Sequence, residues 1–220
     1  MPTDHYFSAL PASDGELRTV PVRLAGRDVE VVTAGGIFSP DGVDKGTRVL
    51  LEEVPAPPAE GTFLDLGCGW GPLALTMALE APAATVHAVD VNERALALAR
   101  RNATALDVAA GTGRTAGVRV STPDQVDPGT TFDLIWSNPP IRVGKAVLHD
   151  LMTTWLPRLA PAAPGRPGGT AYLVVQKNLG SDSLQTWLAR TLPDLMGEVG
   201  VDRFASSKGF RVLRVSPAAR

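Results

Sequence analysis

Two short stretches of this 220-residue sequence hold the side chains best suited to chemistry. The first is Ser137-Asn138-Pro139-Pro140-Ile141. Two prolines fix φ and remove two backbone donors, so the segment is a stiff loop that presents acceptors. In such a loop the Asn138 side-chain oxygen and a backbone carbonyl can point the same way. That suits a planar –NH2 group, which has two N–H bonds to place. An amine held there has its lone pair aimed, and positioning supplies much of a rate acceleration without a metal or a strong base. Taken alone, Asn-Pro is also an ordinary turn signal, so its meaning depends on where the fold puts it.

The second stretch is Phe63-Leu64-Asp65-Leu66-Gly67-Cys68-Gly69-Trp70-Gly71-Pro72, with Asp90 23 residues beyond Gly67. An apolar strand feeds a glycine-rich turn, and Pro72 suits the first position of the next helix. The glycines let the backbone turn sharply and approach a ligand, and Asp90 closes the next strand, where a carboxylate can accept from ribose hydroxyls. The dinucleotide form of this turn is G-x-G-x-x-G. Here the spacing is G-x-G-x-G, and Pro72 holds the place of the third glycine. A carboxylate at Asp65 repels a pyrophosphate and suits an amino group, so an adenosine with an amino-acid tail fits better than a nicotinamide dinucleotide.

These residues need a scaffold. Apolar runs at 62–66, 85–91, 118–121, 132–137 and 170–176 alternate with helical spacing over 72–81, 93–106 and 145–159, and a helix over 183–192 follows. Near-continuous apolar strands with helical crossovers predict an α/β fold with a parallel sheet covered on both faces. Residues 197–205 and 210–215 predict a closing antiparallel hairpin. Ahead of the core, residues 18–24 and 28–33 alternate about a turn at Gly26, a short N-terminal β-hairpin. Val43, Thr47, Leu50, Leu51 and Val54 have helical spacing, and Pro55, Pro57 and Pro58 stop that helix. The expected division is 1–54, a hairpin and helix packed on the core, and 55–220, the core itself, together one compact domain.

Asp65-x-Gly67-x-Gly69-x-Gly71 with Asp90 resembles the S-adenosylmethionine site of class I methyltransferases. The resemblance implies a Rossmann-like, seven-stranded, mostly parallel sheet whose last strand is antiparallel, with S-adenosyl-L-methionine as cofactor. It implies that Asp90 holds the ribose hydroxyls and that Asp65 lies near the methionine amino group. Asp124, after the third strand of the core, would meet the adenine amine; a solvated loop acid is the other reading. Cys68, Val91 and Asn138 complete the implied cofactor contacts. Asn138-Pro139-Pro140 resembles the motif of methyltransferases acting on exocyclic or amide nitrogens, which makes these three the implied catalytic residues. Many such enzymes carry a stacking aromatic next; here it is Ile141. The segments Gly36-Ile37-Phe38-Ser39-Pro40-Asp41-Gly42-Val43-Asp44-Lys45-Gly46-Thr47, Asn138-Pro139-Pro140-Ile141-Arg142-Val143-Gly144-Lys145 and Gln176-Lys177-Asn178 resemble the small-subunit ribosomal RNA guanine-N2 methyltransferases. That implies ribosomal RNA or the small ribosomal subunit as partner. Some members carry a second, degenerate methyltransferase domain, for which 220 residues leave no room.

Charge bears on this. The formal net charge of -2 argues against a nucleic-acid partner, yet it hides a split. Residues 1–133 carry 10 basic and 18 acidic side chains; residues 134–220 carry 11 and 5. The basic half begins just before Asn138, so an RNA partner is permitted. The chain has 17 arginines but only four lysines, Lys45, Lys145, Lys177 and Lys208, each in or beside one of these loops. A compact ammonium is expected to matter at such places. Lys145, Lys177 and Lys208, with Arg142 and Ile141, form the expected substrate side. No His/Cys/Asp spacing suits a metal; His5, His87 and His149 read as structural, and Trp70, Trp136, Trp155 and Trp187 as core. Tyr6 and Phe7 are candidates to cap the site. One cysteine, no visible leader and no apolar run near ~18 residues predict a cytoplasmic protein with no membrane span. The rival functions are a glutamine-amide methyltransferase of a release factor, a small-metabolite methyltransferase, a non-catalytic cofactor- or RNA-binding module, and, against Pro72, a nicotinamide oxidoreductase.

Overall fold

The computed structural model describes residues 16–111, 116–163, 165 and 167–218, and of Arg142 the backbone alone. His5, Tyr6 and Phe7 lie outside these residues. In chain order the elements are β1 (Leu17–Leu24), β2 (Arg27–Ala34), α1 (Lys45–Glu53), β3 (Thr62–Leu66), α2 (Pro72–Glu80), β4 (Thr85–Val89), α3 (Glu93–Ala105) and β5 (Gly117–Ser121). There follow β6 (Leu134–Ser137), α4 (Lys145–Trp155), β7 (Thr170–Gln176), α5 (Ser181–Met196), β8 (Val199–Ser207) and β9 (Phe210–Pro217). β1 and β2 form a two-stranded sheet; the other strands run in the order β5-β4-β3-β6-β7-β9-β8. The pairs β3–β4, β4–β5 and β6–β7 are parallel, and β9 is antiparallel to both β7 and β8. This is the α/β architecture that the alternation of strands and helices predicts, in the seven-stranded, Rossmann-like form that the resemblance implies.

By packing, the chain divides into two units. The first holds the described residues up to Asp44 and Ala56–Pro128; the second holds Lys45–Pro55 and the described residues from Gly129. The hairpin β1–β2 belongs to the first unit and α1 to the second.

In the first unit, the turn of the hairpin has Ala25 at φ 48° and Gly26 at φ 72°, the two positive values a tight turn between twisted strands demands. Phe63, Leu64, Val86 and Ala88 of β3 and β4 are fully buried with Leu75 and Met77 of α2 and Leu96 of α3. Strands covered on both faces lack polar alternation, which is why they read as continuous apolar runs. Buried Asn102 on α3 ties the unit together: its Oδ1 accepts from the Val32 N–H at 2.7 Å, and its Nδ2 donates to the carbonyls of Val32 (3.0 Å) and Trp70 (3.1 Å). One carboxamide thus pairs with the edge of β2 like a short strand and fixes the glycine turn beside it. Trp70 Nε1 in turn donates to the Ser39 carbonyl at 3.2 Å.

In the second unit, Ile135 and Trp136 of β6, Leu173 and Val174 of β7, Leu213 of β9, Trp155 of α4 and Leu188 of α5 are buried. The helix expected over 145–159 tightens after Trp155 into a 3-10 turn, Leu156–Arg158, at Pro157, which lacks the donor an α-helix would use. α5 runs on through Pro193, where a proline in the sequence suggests a stop, and ends at Gly197, φ 75°. The β8–β9 hairpin turns on Lys208 (φ 48°) and Gly209 (φ 83°).

Candidate active site

The cofactor side is built in the first unit. The Gly67 and Cys68 N–H groups donate to the Val89 carbonyl at 2.8 and 3.0 Å, folding the chain back at the carboxyl end of β3. Gly67, Gly69 and Gly71 have φ of 77°, 55° and 98°, a region that L side chains rarely enter. No heavy atom lies within 4 Å of where a Cβ would stand on Gly67 or Gly69, so a side chain there would strain the turn and fill open space. Gly71 has closer neighbours, since a Cβ would touch Ala99 and Leu75 at 3.5 Å, an ordinary contact, so its positive φ is what calls for glycine. Cys68 is buried, and burial pushes its thiol well above its ordinary pKa, so it is a small packing residue of the turn.

Asp90 follows β4. Its Oδ2 accepts from the Gly69 N–H and its Oδ1 from the Asn92 N–H, each at 2.9 Å. The carboxylate therefore braces the glycine turn, and each oxygen keeps a further lone pair for a hydroxyl. Asn92 caps α3 by accepting from the N–H groups of Arg94 and Ala95. Val91 is 67% exposed, an apolar side chain left open beside Asp90. Asp124 is exposed, in a 3-10 turn closed by a Thr122–Gln125 capping box.

Asp65 is fully buried. Its Oδ2 accepts from the Ala74 N–H at 2.9 Å, in the first turn of α2, while Oδ1 has no hydrogen-bond partner. Burial pushes its pKa up to about 8 and repulsion from Asp90 adds to this, against the pull of the Ala74 bond. A buried carboxyl with one orphaned oxygen wants a cationic donor. That oxygen, the open glycine cradle and the twin acceptors of Asp90 fit an adenosine carrying an ammonium group.

The acceptor loop is built in the second unit. β6 ends at Ser137, and Asn138 Nδ2 donates to Thr47 Oγ1 of α1 at 3.1 Å. The Pro139 carbonyl accepts from the Ile141 N–H at 2.8 Å, an inverse γ-turn with Pro140 at φ -73° and ψ 79°. A carbonyl has two lone pairs, so Pro139 can still serve a second donor. Ile141 is half-buried.

Lys145 opens α4 and is exposed; Lys177 is exposed at the end of β7. The Lys177 N–H donates to the Gly209 carbonyl at 2.9 Å, bringing the backbone of Lys177 to the Lys208–Gly209 turn. Lys208 itself is ion-paired to Glu52, an exposed pair of small energetic weight. The arginines of β8 and β9 are committed to acids: Arg203 and Arg211 to Asp182, Arg214 to Asp202. These three arginines are thus held by acids of the same unit. Three tryptophans are core as expected; Trp187 instead stacks on His149, ring centroids 3.6 Å apart and 5° from parallel. Among the described residues no His/Cys/Asp/Glu group could hold a metal, and no helix is long and apolar enough to cross a membrane.

A parallel sheet with a glycine turn after its first core strand and an acid after the next defines a nucleotide-ligand-binding α/β protein. Residues 28–214 match the methyltransferase small domain, and the chain belongs to that family. It is 32% identical over 215 residues to the uncharacterized Bacillus subtilis protein YbxB, covering 96% of this chain and 98% of that one. It is 34% identical over 158 residues to the ribosomal RNA large subunit methyltransferase G of Streptomyces coelicolor, 72% of this chain and 40% of the relative. Among solved structures, the 16S rRNA N2 guanine methyltransferase RsmC of T. thermophilus, in complex with AdoMet and guanosine, superposes with a TM-score of 0.67 at 20% identity. That superposition covers 94% of this chain and 52% of RsmC. The chain therefore spans about half the length or less of these ribosomal RNA methyltransferases, and nearly the whole of YbxB.

Proposed function

We propose that this protein uses S-adenosyl-L-methionine to methylate the exocyclic N2 amine of a guanine in ribosomal RNA. The observation that carries the reading is the acceptor loop: Asn138, anchored through its amide nitrogen, beside a Pro139 carbonyl in a proline-fixed turn. The names of its relatives, which include enzymes of both ribosomal subunits, support the substrate class. Ile141 in place of a stacking aromatic, and the Phe38-Ser39 segment, weigh against the glutamine-amide alternative.

In this reading Gly67, Cys68, Gly69, Gly71 and Val91 shape the cofactor slot, Asp90 accepts from the ribose, Asp124 from the adenine amine, and Asp65 faces the ammonium. The bound cofactor supplies an electrophilic methyl group. Asn138 Oδ1 and the Pro139 carbonyl each take one N–H of the target amine, so that its lone pair is directed at that methyl. Pro140 keeps the loop from relaxing. Nucleoside mass mapping of ribosomal RNA from both subunits, in cells with and without this protein, tests the proposal. One N2-methylguanosine should vanish with the gene; an unchanged RNA map with a lost methyl on a release-factor glutamine would replace this reading by the rival.

Ile141, Arg142, Lys145, Lys177 and Lys208 form the proposed substrate side, the cations meeting phosphates near the target base. A phosphate can displace Glu52 from Lys208 at small cost, because the pair is exposed. Alanine at Lys145, Lys177 or Lys208 should each flatten the log–log salt dependence of RNA binding by about 0.7. Salt slopes equal to wild type in all three variants would remove the lysines from the interface.

A further inference from the structure

Resting on that reading, we propose that Thr47 is a positioning residue that anchors the Asn138 carboxamide where it meets the substrate amine. A carboxamide has two ends of nearly equal size and opposite hydrogen-bonding sense. Only Oδ1 can accept; a half-turn of the side chain would set Nδ2 against the amine, donor facing donor. Shape alone does not hold the side chain in one of these orientations, so it needs a hydrogen-bond anchor.

Thr47 supplies it. Its Oγ1 accepts one of the two N–H groups of Asn138 Nδ2 at 3.1 Å, which anchors the carboxamide by its nitrogen end. Thr47 stands in the first turn of α1 and is 3% exposed, and its β-branched side chain has few rotamers. The hydroxyl is thus held where the helix puts it, and α1 is held in turn by Val49 and Leu50, both buried, and by packing on β7 and β9. The two partners are 91 residues apart in sequence, so spacing gives no sign of the link. Thr47 acts through Asn138 and is a positioning residue.

The test uses Thr47→Val, which keeps the shape and removes the hydroxyl, and Thr47→Ser, which keeps the hydroxyl. Methyl transfer is measured with labelled S-adenosylmethionine and ribosomal RNA from cells lacking the protein. In Thr47→Val kcat should fall about tenfold or more, as misplacement of a reacting group does, with KM for the methyl donor unchanged and only a small fall in melting temperature from the lost hydrogen bond. Thr47→Ser should restore most of kcat. The double variant Thr47→Val/Asn138→Ala should be no slower than Asn138→Ala alone, because the second change removes what the first acts through. If Asn138→Ala loses activity while Thr47→Val keeps wild-type kcat, the positioning role is overturned and the function stands. An active Asn138→Ala overturns the function itself. A readout independent of activity is the Asn138 side-chain amide in 15N-labelled protein without RNA. One of its protons should exchange slowly in wild type and Thr47→Ser and rapidly in Thr47→Val; equal exchange in all three would overturn the inference.

Discussion

Asn138→Ala should lower methyl transfer by about two to three orders of magnitude, the loss seen when one fixed partner of a reacting group is removed, while S-adenosylhomocysteine still binds within a few-fold of wild type. The two effects separate because the elements separate. The glycine turn, Asp65 and Asp90 lie in one packed unit, and Asn138 extends from β6 in the other. Removing the carboxamide leaves every hydrogen bond within the glycine turn in place. What is lost is one of two acceptors for the amine, and with it the aim of the lone pair. Alanine also leaves the Thr47 hydroxyl without its Asn138 partner, so a modest loss of stability accompanies the kinetic effect. Single-turnover kinetics with saturating cofactor isolate the chemical step. A variant turning over at more than a third of the wild-type rate would remove Asn138 from the mechanism.

The strands were legible in the sequence because burial on both faces makes them continuous apolar runs: β3 and β7 fall at the expected residues. The glycine turn was legible because positive φ restricts three positions to one residue type. What could not be read was the use of carboxamides and hydroxyls over long separations. Asn102 pairs with Val32 across 70 residues, and Asn138 with Thr47 across 91. Neither link has a periodicity, because it depends on tertiary packing. The charge split between residues 1–133 and 134–220 was legible as a total, but its availability was not. Asp182 and Asp202 draw in three arginines of β8 and β9, which leaves the lysine-bearing loops as the informative cations. Asn92, by contrast, stood directly before Glu93 and the helical pattern of α3, an N-cap signal in plain sequence.

Asp65→Asn should remove the pH dependence that Asp65 gives to two properties at once. Asp65 loses its proton near pH 4 in the unfolded chain and near pH 8 in the folded one, because burial, aided by Asp90, disfavours the anion. Between these values the native state holds the extra proton, so this contribution to stability is complete below about pH 4 and declines as pH rises towards 8. At about 1.4 kcal/mol per pH unit it amounts to several kcal/mol at most. Asparagine cannot ionise, keeps an oxygen for the Ala74 N–H, and should flatten this part of the stability curve, measured by urea titration from pH 5 to 8. Cofactor binding should respond in the opposite sense. An ammonium beside Asp65 favours the carboxylate, so at pH 7 the wild-type protein should release about one proton on binding S-adenosylhomocysteine, and its affinity should rise towards pH 8. The asparagine variant should bind more weakly and release none. Calorimetry at pH 7 in buffers of different ionisation enthalpy counts the proton directly. Equal release by both proteins would mean that the orphaned Asp65 oxygen does not meet the ammonium, and that Asp65 serves only to cap α2.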